Sequence, residues 1–120
     1  MQPQTASALS ASTLADGVIP LLPKFFSIAT AASGATEIVA AVTGKKIRVI
    51  CYNYMANGTV NVKWQSASTD KTGLAYLVAN TGKVVPFSPV GWFETAAGEA
   101  LNINLSGAIA VGGEGAYVEV

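Results

Sequence analysis

"KIRVICYNYMANGTVNVKWQSAS", residues 46–68, decides the fold class. The first eleven residues are rich in β-branched and aromatic side chains, which suit a pleated and half-buried surface. After Asn57-Gly58, Val60, Val62 and Trp64 alternate with Asn61, Lys63 and Gln65. That period of two buries one face of a strand and wets the other. Trp64 falls on the apolar face and reads as core. Asn-Gly between two such runs is the sequence form of a hairpin turn. The stretch therefore predicts two long antiparallel strands, with no helix.

The same grammar extends in both directions. Upstream, "KFFSIAT" (24–30) and "TEIVAAV" (36–42) are strand candidates, separated by the turn "ASG" and closed by "TGKK". Downstream, "STDKTG" is a polar loop, and "GLAYLVA" and "KVVPFS" form a pair around "NTG". Pro86 argues for an edge or a bulge there, because proline cannot donate to a ladder. "ALNINLSG" (100–107) sets Leu101, Ile103 and Leu105 inward and Asn102, Asn104 and Ser106 outward. "GGEG" (112–115) is the expected turn before a last strand, "AYVEV", tied into the sheet. About eight short strands at this spacing predict an all-β fold. The expected form is an antiparallel β-sandwich, jelly-roll-like, spanning residues 24–120.

Residues 1–23 differ. They are rich in Ala, Ser and Thr, hold three of the five prolines and contain one charge, Asp16. The first basic residue is Lys24, and Pro20 and Pro23 interrupt "VIPLLP", so the stretch lacks the plan of a secretory signal. It reads as an extended N-terminal arm. Val18, Ile19, Leu21 and Leu22 make a poor free tail and are expected to lie against a neighbouring subunit.

Composition narrows the function. The 120 residues suffice for one domain with a real core. There is one cysteine, Cys51, and no histidine, so no internal disulfide and no Cys/His zinc site is expected. A triad with an imidazole base is excluded. Seven basic and seven acidic side chains cancel, without the basic face that a nucleic acid would want. No apolar run is long enough for a membrane helix. Charged residues are only 12% and apolar ones 51%. Ordinary domains carry about 25% charge. So little charge on a small protein implies that part of its surface is covered by other subunits.

Candidate chemistry is sparse. Glu94 and Glu99 are near each other in sequence and beside Trp92, close enough to consider a glycosidase pair. No base, nucleophile and oxyanion set converges, so the chain is not expected to be an enzyme, and no catalytic, cofactor or metal residue is assigned. Trp92, set between Pro89, Gly91 and Phe93, is the aromatic most expected to be exposed. It is a sugar platform, or with Phe93 a subunit contact.

"GKKIRV" (44–49), "VKWQSASTDKTG" (62–73), "PFSPVGWFETAAGEALN" (86–102) and the terminal "YVEV" (117–120) carry a resemblance. Over about residues 37–120 the chain resembles small virion-associated proteins of tailed bacteriophages. The arm is outside the resemblance. It implies a structural protein of the virion, assembled in the host cytoplasm. The first expectation is a capsid decoration or cement protein that self-associates and binds the major capsid protein. A homotrimer follows by analogy with small sandwich proteins at three-fold points of shells. The alternatives are a tail or fibre component contacting a host-surface saccharide, and a free carbohydrate-binding module.

Overall fold

The computed structural model describes residues 21–120, which form ten strands and no helix. These are β1 Lys24–Thr30, β2 Gly34–Val39, β3 Ile47–Ala56, β4 Val60–Ser66 and β5 Thr69–Asp70. They are followed by β6 Ala75–Leu77, β7 Thr81–Val85, β8 Phe93–Glu94, β9 Leu101–Leu105 and β10 Val111–Glu119. Two of the ten are two-residue pieces, so eight principal strands remain.

One sheet has the order β1-β10-β3-β7, and β8 continues along the same edge of β3 beyond β7. The other has the order β2-β9-β4, with β5 and β6 sharing the far edge of β4. Every pairing is antiparallel. The chain changes sheet after β1, β2, β3, β6, β8 and β9. Strands distant in sequence thus become neighbours, as in the double Greek key of a jelly roll.

The core lies between the sheets. Trp64 is fully buried at its centre, ringed by Phe26, Tyr52, Tyr54 and Phe93 with centroids 5.4–6.5 Å away. Ile103, Leu105, Val60 and Val62 close the layer from the second sheet. The alternation read for β4 and β9 is seen directly, since Val60, Val62, Trp64, Leu101, Ile103 and Leu105 are buried.

Three local expectations are corrected. Asn57-Gly58 is no hairpin turn: neither residue has positive φ, and the chain there passes from β3 to β4 in the opposite sheet. A type I′ turn would require positive φ at both. Each strand instead finds other partners, and Asn57 N–H donates to Ala110 O at 2.9 Å. "NTG" is no hairpin turn either: β6 and β7 lie in opposite sheets, Asn80 ends the connection between them at φ 61°, and Thr81 and Gly82 already belong to β7.

"GGEG" lies within β10, between β1 and β3. Its glycines answer to crowding: a Cβ on Gly113 would stand 2.7 Å from Tyr54 Cα, and one on Gly115 2.6 Å from Cys51 O. The tight hairpin is instead β4–β5, where Gln65 pairs Asp70, Ser66 pairs Thr69, and Ala67 takes φ 51°. The C-terminus is tied in as expected, by reciprocal backbone bonds between Lys46 and Val120 at 2.8 and 3.0 Å.

Candidate assembly surface

The segment after β7 is fixed from both ends. Ser88 N–H donates to Ile50 O (2.9 Å), Gly91 N–H to Ser88 O (3.1 Å) and Trp92 N–H to Val49 O (2.8 Å). Gly91 has φ 81° and sits against the Arg48 stem, which leaves no room for a side chain. The turn therefore hands Trp92 and Phe93 to β8 in fixed orientation. Trp92 faces solvent, half exposed, and its indole N–H donates to Pro86 O at 2.8 Å. Phe93 packs inward against Tyr52 and Trp64. Phe87 and Val90, in the same segment as Trp92, are also exposed and extend its apolar surface.

The two acids of this stretch do not act on a common space. Glu94 accepts from Arg48 Nε at 3.0 Å, and Lys46 Nζ lies 3.4 Å away. Burial alone would raise its carboxyl pKa, but the Arg48 hydrogen bond and charge, aided by Lys46, outweigh that and hold it below the ordinary value. Glu99 accepts from Ser66 Oγ at 2.6 Å, and that oxygen also receives Ala96 N–H at 3.0 Å. Each carboxylate is thus engaged in pinning the loop between β8 and β9.

The second apolar surface is the outer face of the first sheet. In β1, Phe26 and Ile28 enter the core while Phe25, Ser27 and Ala29 face outward. Phe25 pairs with Ala116, which pairs with Cys51, while Val84 pairs with Asn53. Phe25 and Val84 are about as exposed as side chains become, at 82% and 80%. Between them runs a groove of about 420 Å³ floored by Cys51, Asn53, Gly115 and Ala116. A separate hollow of about 590 Å³ is lined by Met55, Gly112 and the end of β1. Among the described residues, Glu114 is the one charged residue lining either hollow.

At the other end of this face, Ile50, Ala116 and Val118 are buried in a small separate cluster. Ile50 is the extra residue of an irregularity in the β3–β10 ladder, where Cys51 pairs Ala116 and Val49 pairs Tyr117. Leu21, Cys51 and Val120 pack on that cluster. Leu22, next in the chain, is exposed.

The residues proposed from sequence as contacts therefore separate. Trp92 and Leu22 are exposed, Phe93 and Leu21 pack within the chain, and Val18 and Ile19 lie outside the described residues. Sequence reasoning missed Phe25 and Val84. Their signal was the doublets Phe25-Phe26 and Val84-Val85, because adjacent apolar residues in a strand cannot share one face. Among the described residues, no group of His, Cys, Asp and Glu is placed to hold a metal. No protein-family model matches the chain, and no curated protein matches its sequence.

Proposed function

We propose that this protein is a structural subunit of a tailed-phage virion, most simply a capsid decoration protein, that acts by binding its own copies and shell subunits. The observation behind this reading is the exposed apolar surface. Leu22, Phe25, Val84, Val90 and Trp92 stand at least half exposed on a small domain with little charge. Such patches mark contact surfaces. The resemblance of residues 37–120 to virion-associated proteins supplies the kind of assembly. Jelly rolls occur in capsid proteins and in lectins alike, so the fold is compatible and does not choose.

The site residues argue more for docking than for catalysis. Glu94 and Glu99 are occupied by separate partners, and the Trp92 N–H is already used, which leaves only its ring face for a ligand. A homotrimer is the oligomer expected of this reading. Copy number per purified particle, measured against the major shell protein, tests it. Hundreds of copies support decoration of the head. A dozen or fewer would move the protein to the tail or a fibre, with the Trp92 surface as receptor contact. Absence from particles would overturn the virion reading and favour a sugar-binding module.

A further inference from the structure

We infer that β1 joins two copies of this chain, antiparallel and across a two-fold axis, with Ser27 opposite Ser27 of the second copy. A strand at the edge of a sheet presents a row of backbone N–H and C=O groups to whatever lies beside it, and proteins blunt such edges with lysine, proline, bulges or shortness. The other edges of this sandwich carry those guards. β2 has the charge of Glu37 and a break in register between Glu37 and Val39. β7 has the exposed Lys83 and runs into Pro86. β5, β6 and β8 are two or three residues long. Over residues 25–30, β1 has none of these. It is seven residues long, pairs with β10 without a shift in register, and has no strand on its far side among the described residues. Its single charge, Lys24, stands at one end and pairs with Glu119 of its own chain at 3.1 Å.

The strand's own sequence selects a second copy as its partner. Antiparallel pairing centred on Ser27 sets Phe25 opposite Ala29 of the second copy, Phe26 opposite Ile28 and Lys24 opposite Thr30. This is the one register that pairs all seven residues, and the two-fold axis repeats each pair. On the outer face, where Phe25, Ser27 and Ala29 are exposed, each large ring then lies over a small alanine, and the two Ser27 hydroxyls meet at the axis. On the inner face, Phe26 and Ile28 continue the apolar layer across the join. The two lysines go to opposite ends, about 20 Å apart along the strands, so no like charges face one another.

Trp92 and β8 lie at the opposite edge of the first sheet, beyond β3. The β1 join is therefore a separate contact from the Trp92 surface, and it does not rest on the virion reading. If Trp92 closes a homotrimer, β1 links one trimer to the next.

Charge at position 27 tests the join. In the full chain, Ser27→Lys and Ser27→Glu each set like charges against one another at the axis, on a side chain that is exposed in the single copy, so the fold should hold. Sedimentation at micromolar concentration is expected to give half the wild-type mass for each variant and the full mass for an equal mixture of the two. A monomeric wild-type chain, an unchanged mass in either variant, or no recovery on mixing would overturn the inference. Disulfide formation tests the register. In a Cys51→Ser background, with oxidised glutathione as the two-electron acceptor, Ser27→Cys is expected to form a covalent dimer about tenfold faster than Ala29→Cys, whose two copies stand about 13 Å apart along the join. Equal rates, or a faster Ala29→Cys, would overturn that register. Adding Trp92→Ala should leave the Ser27→Cys dimer forming; its loss would show that the contact depends on the Trp92 surface and would overturn a separate join.

Discussion

Trp92 and Phe93 are sequence neighbours that face opposite ways, one to solvent and one into the core between the sheets. The Phe93 ring stands 5.9 Å from Trp64 in the core, while Trp92 lies half exposed with its N–H on Pro86 O. A strand forces this division, because successive side chains alternate. Gly91 sets which of the two goes in.

The pair therefore predicts two different phenotypes. Phe93→Ala should destabilise the fold by about 2–4 kcal/mol, somewhat under the cost of a fully buried phenylalanine. Trp92→Ala should shift fold stability by less than about 1 kcal/mol and instead weaken self-association, where aromatic anchors are worth about 2 kcal/mol or more. Urea titration and oligomer mass at micromolar dilution separate them. An unchanged mass for Trp92→Ala would remove it from the interface.

Gly113 and Gly115 are required by the closeness of β10 to β3. Either changed to Ala would force its Cβ against Tyr54 Cα or Cys51 O. The expected loss is about 1–3 kcal/mol or more, as for overpacked cores. Gly107→Ala, with open space around it and no positive φ, is the control. Equal denaturation midpoints for Gly107→Ala and Gly113→Ala would contradict the crowding.

Ala67 carries φ 51° at the two-residue hairpin between β4 and β5. A left-handed alanine costs about 1–2 kcal/mol. Glycine removes that strain while raising unfolded-state entropy, worth about 0.4–1 kcal/mol in the other direction. Ala67→Gly is thus expected to be neutral to stabilising, by up to about 1 kcal/mol, with a raised Tm. A clear fall in Tm would show that the hairpin does not need this conformation.

Glu94 makes stability depend on acid pH. Burial opposes its ionisation, yet Arg48 and Lys46 prevail and its folded pKa is depressed. The unfolded carboxyl titrates near about 4.3. The stabilisation is therefore present above that value and is lost as pH falls through the lower folded pKa. Its side chain is 35% exposed, so the effect is screened and should not exceed about 1 kcal/mol. Glu94→Gln should flatten the acid limb of the stability–pH curve, and high salt should shrink the difference from wild type. A parallel curve for the variant would argue against the ion pair.

Much of this was legible before the fold was seen. Period two in "VNVKW" and "LNINL" named six core residues, since alternation is local geometry and needs no partner strand. The turns were less legible. Asn57-Gly58 has hairpin chemistry, yet the chain uses it to change sheets, because β3 is held by β10, β7 and β8 and β4 by β9, β5 and β6. "GGEG" reads as a turn by composition and serves as strand, because a close neighbour excludes side chains just as a tight turn excludes them.

By itself, the sequence determined that the chain is all-β, which faces of β4 and β9 are buried, that Trp64 is core and that charge is scarce. These follow from spacing and composition within single segments. Only the tertiary structure decided the strand order, the opposite duties of Trp92 and Phe93, the separate partners of Glu94 and Glu99, and the apolar face between Phe25 and Val84. Those properties depend on which distant strands meet, and that is set by the packing of the two sheets as a whole.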